Sequence, residues 1–384
     1  MIKRAIYSQA QFQLTQFRAL CITGPRQSGK TTLSKMLCPN KPYVNFENPD
    51  IQSEADLNPR KFLSKYSNGA VFDEIQRVPL LFRYLQQILD ETKHRGQFIL
   101  TGSNNFLLNE GLSQSLAGRV GYLSLLPLSI AELVTDGKAS NSISDHIIKG
   151  GYPEIWSEGL NTPNWMKSYV QTYIQRDVRL IKNISNLAAF NRFLLLCAHY
   201  AGQIINRNEL AKDTGVDNKT ILSWLGLLEE SYIIYQLHPW FNNLNKRVIK
   251  SPKLYFYDTG LLCYLLGLTT KKALAENPRY GSIVENWAIS EIKKNKLNNG
   301  ESEGMYFFRD SAGNEIDLLL EKNGETIAIE IKATTNFTMS MLSGIKYWQK
   351  YQPGAHGMVL YGGTKTKFIN DLTSLVTWKE LIDV

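Results

Sequence analysis

One nine-residue run decides most of what this chain can be. "GPRQSGKTT", Gly24 to Thr32, follows the apolar "FRALCITG" and opens into "KTTLSKML", which has helical character. This is the spacing G-x-x-x-x-G-K-[ST], set between a strand and a helix. Gly24 and Gly29 let the main chain curl until its N–H groups point inward at phosphate oxygens. A helix starting near Lys30 adds its positive end. Lys30 would reach the β- and γ-phosphates of ATP, and the Thr31 hydroxyl would hold Mg²⁺. The candidate nucleotide-binding residues are therefore Gly24, Pro25, Arg26, Gln27, Ser28, Gly29, Lys30, Thr31 and Thr32.

The surrounding sequence alternates strands with helices. "YVNFE", "GAVFDE" and "QFILTG" are further strands, and "LLFRYLQQILDETKH" is an amphipathic helix between the last two. Such alternation implies parallel pairing in a three-layer α/β sandwich. "GYLSLLPLSIAELV" is expected to close the unit with one more strand and a helix. The polar stretch Asp136 to Asp145 reads as a boundary, so the first domain is expected over 1–138.

Two acids end the "GAVFDE" strand. Asp73 would coordinate Mg²⁺ through water, and Glu74 would orient and polarise an attacking water. "FILTGSNN" ends another strand, where Ser103 or Asn104 would sense the γ-phosphate or hold that water. A polar strand-end turn explains the same residues equally well. "LAGRVG" places Arg119 after a small-residue turn. It would be a finger reaching the nucleotide of a neighbouring copy, which implies a homo-oligomer, or else a plain surface arginine.

These motifs together resemble an AAA-type ATPase family, a P-loop NTPase group of ATP-binding proteins. Its pattern of GPRQ-x-GKTT, a strand ending in DE, a strand running into LTGS and a GR ahead of an "LLPLSIAEL"-like stretch stands at Gly24–Thr32, Asp73-Glu74, Leu100–Ser103 and Gly118–Leu133. Two markers of the family's C-terminal region, of unknown function, are also here: "GGYPE" and "YIQRDV". The resemblance implies ATP hydrolysis and covers nearly the whole chain.

The next region, 139–250, reads as helical. "NRNELAKDTGVDNKTILSWLGLLEES" has a two-helix rhythm: a short helix over Glu209–Asp213, a left-handed turn at Gly215 and a cap at Asp217. Ile221, Leu222 and Leu225 are expected to face the core. Asn218, Lys219 and Thr220 would present a polar, basic tip to a DNA major groove. "YIIYQLHPW" followed by "NLNKRVIK" would form a wing, with Lys246, Arg247 and Lys250 meeting phosphates. A winged helix serves equally well as a protein-contact module.

The last region, 251–384, reads as α+β. "NEIDLLLEKNGETIAIEIKAT" is a hairpin turning at Asn323-Gly324. In that register Asp317 faces Glu330 and Glu315 faces Lys332, all four on one face, while Ile316, Leu318, Ile329 and Ile331 enter a core. Opposed carboxylates repel. A second Mg²⁺ or Mn²⁺ between Asp317 and Glu330 would offset this, with Lys332 activating water. The pattern resembles the D-(x)n-E-x-K signature of the restriction-endonuclease-like nuclease fold. That resemblance adds a helix glutamate, for which Glu285 fits and Glu291 is the second choice. A solvated face on which Lys332 pairs with Glu315 and Glu330 is the plain alternative. Two functions follow: an ATPase coupled to DNA binding and metal-dependent cleavage, or an ATP-driven switch whose nuclease-like domain binds DNA or protein without catalysis.

Composition narrows the rest. Net charge is +8, from 43 Lys+Arg against 35 Asp+Glu, which fits a polyanionic partner. Four cysteines stand apart with no CxxC pair, which argues against a zinc site and suits a cytoplasmic setting. The apolar stretches are too short to span a membrane.

Overall fold

Ala19–Thr23 is a run of five buried residues and forms β1. Its side chains alternate between two cores: Ala19 and Cys21 pack on one side, Leu20 and Ile22 on the other. Burial on both faces is what a central parallel strand requires. β2 (Tyr43–Asn45), β3 (Ala70–Asp73), β4 (Phe98–Gly102) and β5 (Val120–Ser124) complete the sheet in the order β2-β3-β4-β1-β5. Every pairing in it is parallel. Phe46, Phe62, Phe72 and Phe82 fill one side, and Ile6, Ala10 and Leu33 line the other. The expected three-layer unit is thus present, and its closing strand and helix are β5 and Ile130–Thr135. The computed structural model describes residues 2–103, 116, 118–178, 184, 186–240, 250–322 and 324–383, with side chains left aside at 175–178, 382 and 383. Asn104, Lys246, Arg247 and Asn323 fall outside the described residues.

The middle unit joins helices to a small antiparallel sheet. Helix Leu187–His199 leads through β6 (Gln203–Ile204) to helices Arg207–Thr214 and Asn218–Glu230, then to β7 (Ile234–Leu237) and β8 (Lys253–Phe256). Sheet order is β6-β8-β7. Gly215, at φ 74°, ends the first of the paired helices. The Asp217 carboxylate caps the second by accepting from the Thr220 N–H at 2.7 Å. Ile221 and Leu225 are buried as expected, but Leu222 is 54% exposed. One residue along a helix turns about 100°, so Leu222 cannot share the face of Ile221. β8 pairs with both β6 and β7, so this sheet includes residues 253–256.

The C-terminal unit is a six-stranded mixed sheet. β9 (Met305–Arg309), β10 (Glu315–Lys322), β11 (Glu325–Lys332), β12 (His356–Tyr361), β13 (Lys367–Asn370) and β14 (Thr373–Thr377) stand in the order β13-β14-β12-β11-β10-β9. Helix Tyr280–Asn298 covers one face through Trp287 and Ile289, and helix Ser343–Tyr351 the other through Ile345 and Trp348. The hairpin register is the expected one from Lys322↔Glu325 to Leu318↔Ile329. There the β10–β11 ladder stops, and the β9–β10 ladder shifts between Ile316 and Leu319. The shift turns Ile316 into the core of Leu319 and Ala328, away from Leu318, Ile329 and Ile331, with which the strict alternation had grouped it.

Candidate functional site

The glycine-rich loop leaves β1 at Gly24, whose φ is 145°. A β-carbon there would lie 2.1 Å from the Leu125 carbonyl oxygen, so only glycine lets the loop pass β5. Gly29, at φ 95°, turns the chain into helix Lys30–Leu37. Lys30 is 6% exposed, and its ammonium donates to the carbonyls of Gly24 and Pro25 at 2.9 and 2.8 Å. Burial lowers its pKa, opposed by the nearby charges of Glu74 and Asp73. Arg4 supports the loop from behind: it donates to the Ser28 carbonyl at 2.5 Å and pairs with Glu132 at 2.9 Å.

Asp73 ends β3, 4% exposed, and gathers three hydroxyls. Thr31 Oγ1 donates to it at 2.7 Å and Tyr43 Oη at 2.5 Å, and Thr101 donates to its other oxygen. Burial first, then Asp73, raises the Tyr43 pKa, so that phenol keeps its proton. Glu74 follows with φ 55°, a left-handed conformation unusual for glutamate. Its Oε2 accepts from Ser103 Oγ at 2.9 Å and Gln76 Nε2 at 2.5 Å. Thus Lys30, Thr31, Asp73, Glu74 and Ser103 converge at the C-terminal ends of the parallel strands. Arg26, Glu47 and, from the middle unit, Glu154 border the cleft in front of them. Ser28 Oγ is buried without a partner among the described residues, as a cradle for an oxygen-rich ligand requires. This donor set, N–H groups with a lysine beside a hydroxyl–carboxylate pair, fits a nucleotide triphosphate and its Mg²⁺.

Arg119 lies apart from this group. It is half-buried and ion-paired to Asp90 at 2.5 Å. Tyr43, Thr101, Gln76 and Arg4 carry no local motif; only tertiary pairing brings them in.

At the C-terminal cluster the geometry departs from the expected pairing. Glu315 lies 2.5 Å from Lys253 and 3.3 Å from Arg309, rather than against Lys332. Lys332 holds Glu330 at 2.5 Å and Asp317 at 3.5 Å. Asp317 Oδ2 also accepts from the Ile331 N–H at 2.8 Å, where the hairpin ladder has ended. Lys253, opening β8, is 2.9 Å from Glu285, which also accepts from Tyr255 Oη at 2.6 Å. Burial raises the Glu330 pKa to about 8, with Asp317 adding to the effect. Burial also works to lower the Lys253 pKa, but Glu285, Asp317 and Glu315 outweigh it and hold it above its ordinary value. Among the described residues, no three His, Cys, Asp or Glu side chains converge as a metal-holding group. The donor set does not fit a second Mg²⁺ or Mn²⁺, because Lys253, which the expected signature does not contain, stands among the carboxylates. Glu291, the second-choice helix glutamate, faces the first unit instead: it accepts from the Ile130 N–H at 2.6 Å and pairs with Lys294 at 2.7 Å.

Three stretches of the chain match family models. Residues 16–134 match the model of an AAA domain. Residues 140–272 and 280–381 match two domains of unknown function, DUF8612 and DUF4143. An uncharacterized protein of Mycobacterium tuberculosis is 33% identical over 324 residues, 83% of this chain and 71% of its own length. An uncharacterized protein of Haemophilus influenzae is 24% identical over 379 residues, 89% of this chain and 90% of its own. Among solved structures, a Walker-type ATPase of Pyrococcus abyssi aligns with a TM-score of 0.47 at 15% identity, over 68% of this chain and 94% of that one.

Proposed function

This chain belongs to the same family as the mycobacterial protein, with an AAA-type P-loop ATPase domain at its front, and from that premise we propose that it is a Mg²⁺-dependent ATP hydrolase governing a DNA contact. The observation that carries the reading is the Thr31–Asp73 hydrogen bond behind the glycine loop, with Glu74 held beside it by Ser103. Lys30 and the loop amides would hold the triphosphate. Thr31 would coordinate Mg²⁺, and Asp73 would bind it through water. Glu74 would orient and polarise the water that attacks the γ-phosphate, giving ADP and phosphate. Electrostatic stabilisation by Lys30 and Mg²⁺ supplies most of the catalysis in such sites. Arg119, near the surface, would add its charge from a neighbouring copy in a homo-oligomer.

The DNA contact is assigned to the middle unit, which we take as a winged helix. Two helices joined at Gly215, followed by the β7–β8 pair, support this, as does the exposure of Asn218 and Lys219 at the start of helix Asn218–Glu230. The surplus of positive charge points the same way. Four free cysteines fit a reducing cytoplasm, and no helix among the described residues is long and apolar enough to cross a membrane.

For the C-terminal unit the non-cleaving reading is favoured over nuclease action. Cleavage on the restriction-endonuclease-like pattern needs a divalent ion among Glu285, Asp317 and Glu330, where the Lys253 ammonium already pairs with Glu285. The test is direct. The protein is incubated with Mg²⁺ or Mn²⁺, ATP and plasmid or linear DNA, beside Lys219→Ala and Asp317→Ala. The reading expects intact DNA, Mg²⁺-dependent phosphate release, and DNA binding that weakens in Lys219→Ala with a salt slope smaller by about 1. Cleavage lost in Asp317→Ala would replace it with the nuclease reading.

A further inference from the structure

The acids of the C-terminal unit are threaded by a lysine that belongs to another sheet. Lys253 is the first residue of β8 and is 2% exposed. It crosses to the C-terminal unit and contacts Glu285 of helix Tyr280–Asn298 and Glu315 of β10, at 2.9 and 2.5 Å. A carboxylate pair brought this close by a shared cation is also the arrangement a divalent ion needs, since hard cations take several carboxylate oxygens at once. Each neighbouring carboxylate has one oxygen engaged. Glu330 Oε2 accepts from Lys332. Asp317 Oδ2 takes the Ile331 N–H, and Glu285 Oε1 takes Tyr255 as well as Lys253.

We propose that Lys253 is the resident cation of this cluster: its ammonium does the neutralising that a divalent ion does in a nuclease-like site, and the cluster takes no divalent ion while Lys253 is in place. The inference rests on the non-cleaving reading of the C-terminal unit and deepens it. It explains how Glu285, Glu315 and Asp317 are tolerated together without metal. It also makes the cluster a charged joint between the middle and C-terminal units, because its central cation comes from one and its carboxylates from the other. Removing the ammonium leaves Glu285 and Glu315 without their shared cation, two carboxylates able to close on a divalent ion.

The experiment is Mn²⁺ titration of the nucleotide-free full chain, by calorimetry and by the spin-resonance signal of free Mn²⁺. Wild type and Glu285→Gln should titrate alike. Lys253→Met should gain one saturable site, which Lys253→Met/Glu285→Gln lacks, and Mn²⁺ should raise the melting temperature of Lys253→Met alone. Should the methionine variant not fold, Lys253→Gln keeps a hydrogen-bond donor at the position and should show the same gain. A wild-type site abolished by Glu285→Gln would overturn the proposal, since ion and lysine would then coexist. A folded Lys253 variant with no gain would overturn it too, leaving a plain ion-pair network. ATP turnover and DNA binding are read in other assays, so failure of the ATPase reading leaves a distinct signature.

Discussion

Tyr232 Oη lies 2.6 Å from Thr23 Oγ1, joining residues 209 positions apart. Thr23 is the last residue of β1, directly before the glycine loop. Tyr232 follows helix Asn218–Glu230 and holds a left-handed backbone at φ 57°, a conformation that costs a non-glycine residue roughly 1–3 kcal/mol. Tyr173 reaches the same junction, with its hydroxyl near the carbonyls of Ser103 and Ser231. The helix assigned to DNA is therefore seated on the nucleotide-bearing ends of the sheet. Tyr232→Phe should lower stability by about 1 kcal/mol, the net value of one hydrogen bond. It should also weaken ATP binding a few-fold, as calorimetry would register. Wild-type affinity in the variant would mean that this contact does not hold the loop.

Glu74 and Ser103 make a second prediction. Glu74→Gln should keep ATP affinity while turnover falls by about 10²–10⁴-fold, the usual share of a positioned base. Ser103→Ala leaves the carboxylate held by Gln76 alone, so turnover should fall by roughly tenfold, or about 1.4 kcal/mol, at unchanged KM. Steady-state phosphate release measures both. A raised KM with kcat intact would place these side chains in binding rather than chemistry.

Arg119 is paired to Asp90 on the surface, where solvent screening leaves an ion pair little to contribute to stability. Arg119→Ala should therefore melt close to wild type. Its ATPase rate should fall, and the wild-type rate per chain should rise with protein concentration where the variant's does not. A concentration-independent rate in both would return Arg119 to the surface.

The Glu291–Lys294 pair ties helix Tyr280–Asn298 to Ile130 of the first unit, both side chains 5% exposed. Glu291→Ala leaves a buried ammonium without its carboxylate and should cost about 3–5 kcal/mol in denaturant unfolding. Glu291→Ala/Lys294→Met removes both charges and should recover much of that loss. No recovery would mean that the Ile130 contact, rather than the ion pair, carries the stability.

What the sequence shows and what it hides divide along one physical line. The glycine loop is legible because a backbone curl demands glycine at fixed spacing. Asp73 and Glu74 are legible because they end an apolar strand, and the hairpin because two strands and a tight turn leave a period of two. The period fails at Asp317, where a register shift that no residue type announces turns Ile316 over. Lys253, Tyr43 and Tyr232 are invisible because their partners lie 32, 30 and 209 positions away. A lysine at the start of a short strand looks like any surface lysine until the fold carries it among carboxylates.

The central claim is that Lys30 and the loop around it bind and activate ATP. Phosphate release with Mg²⁺ and ATP, compared between wild type and a Lys30→Ala variant of unchanged circular dichroism, tests it most directly. The account predicts turnover in wild type that disappears without Mg²⁺ and in the variant. Equal rates in the two proteins would contradict it.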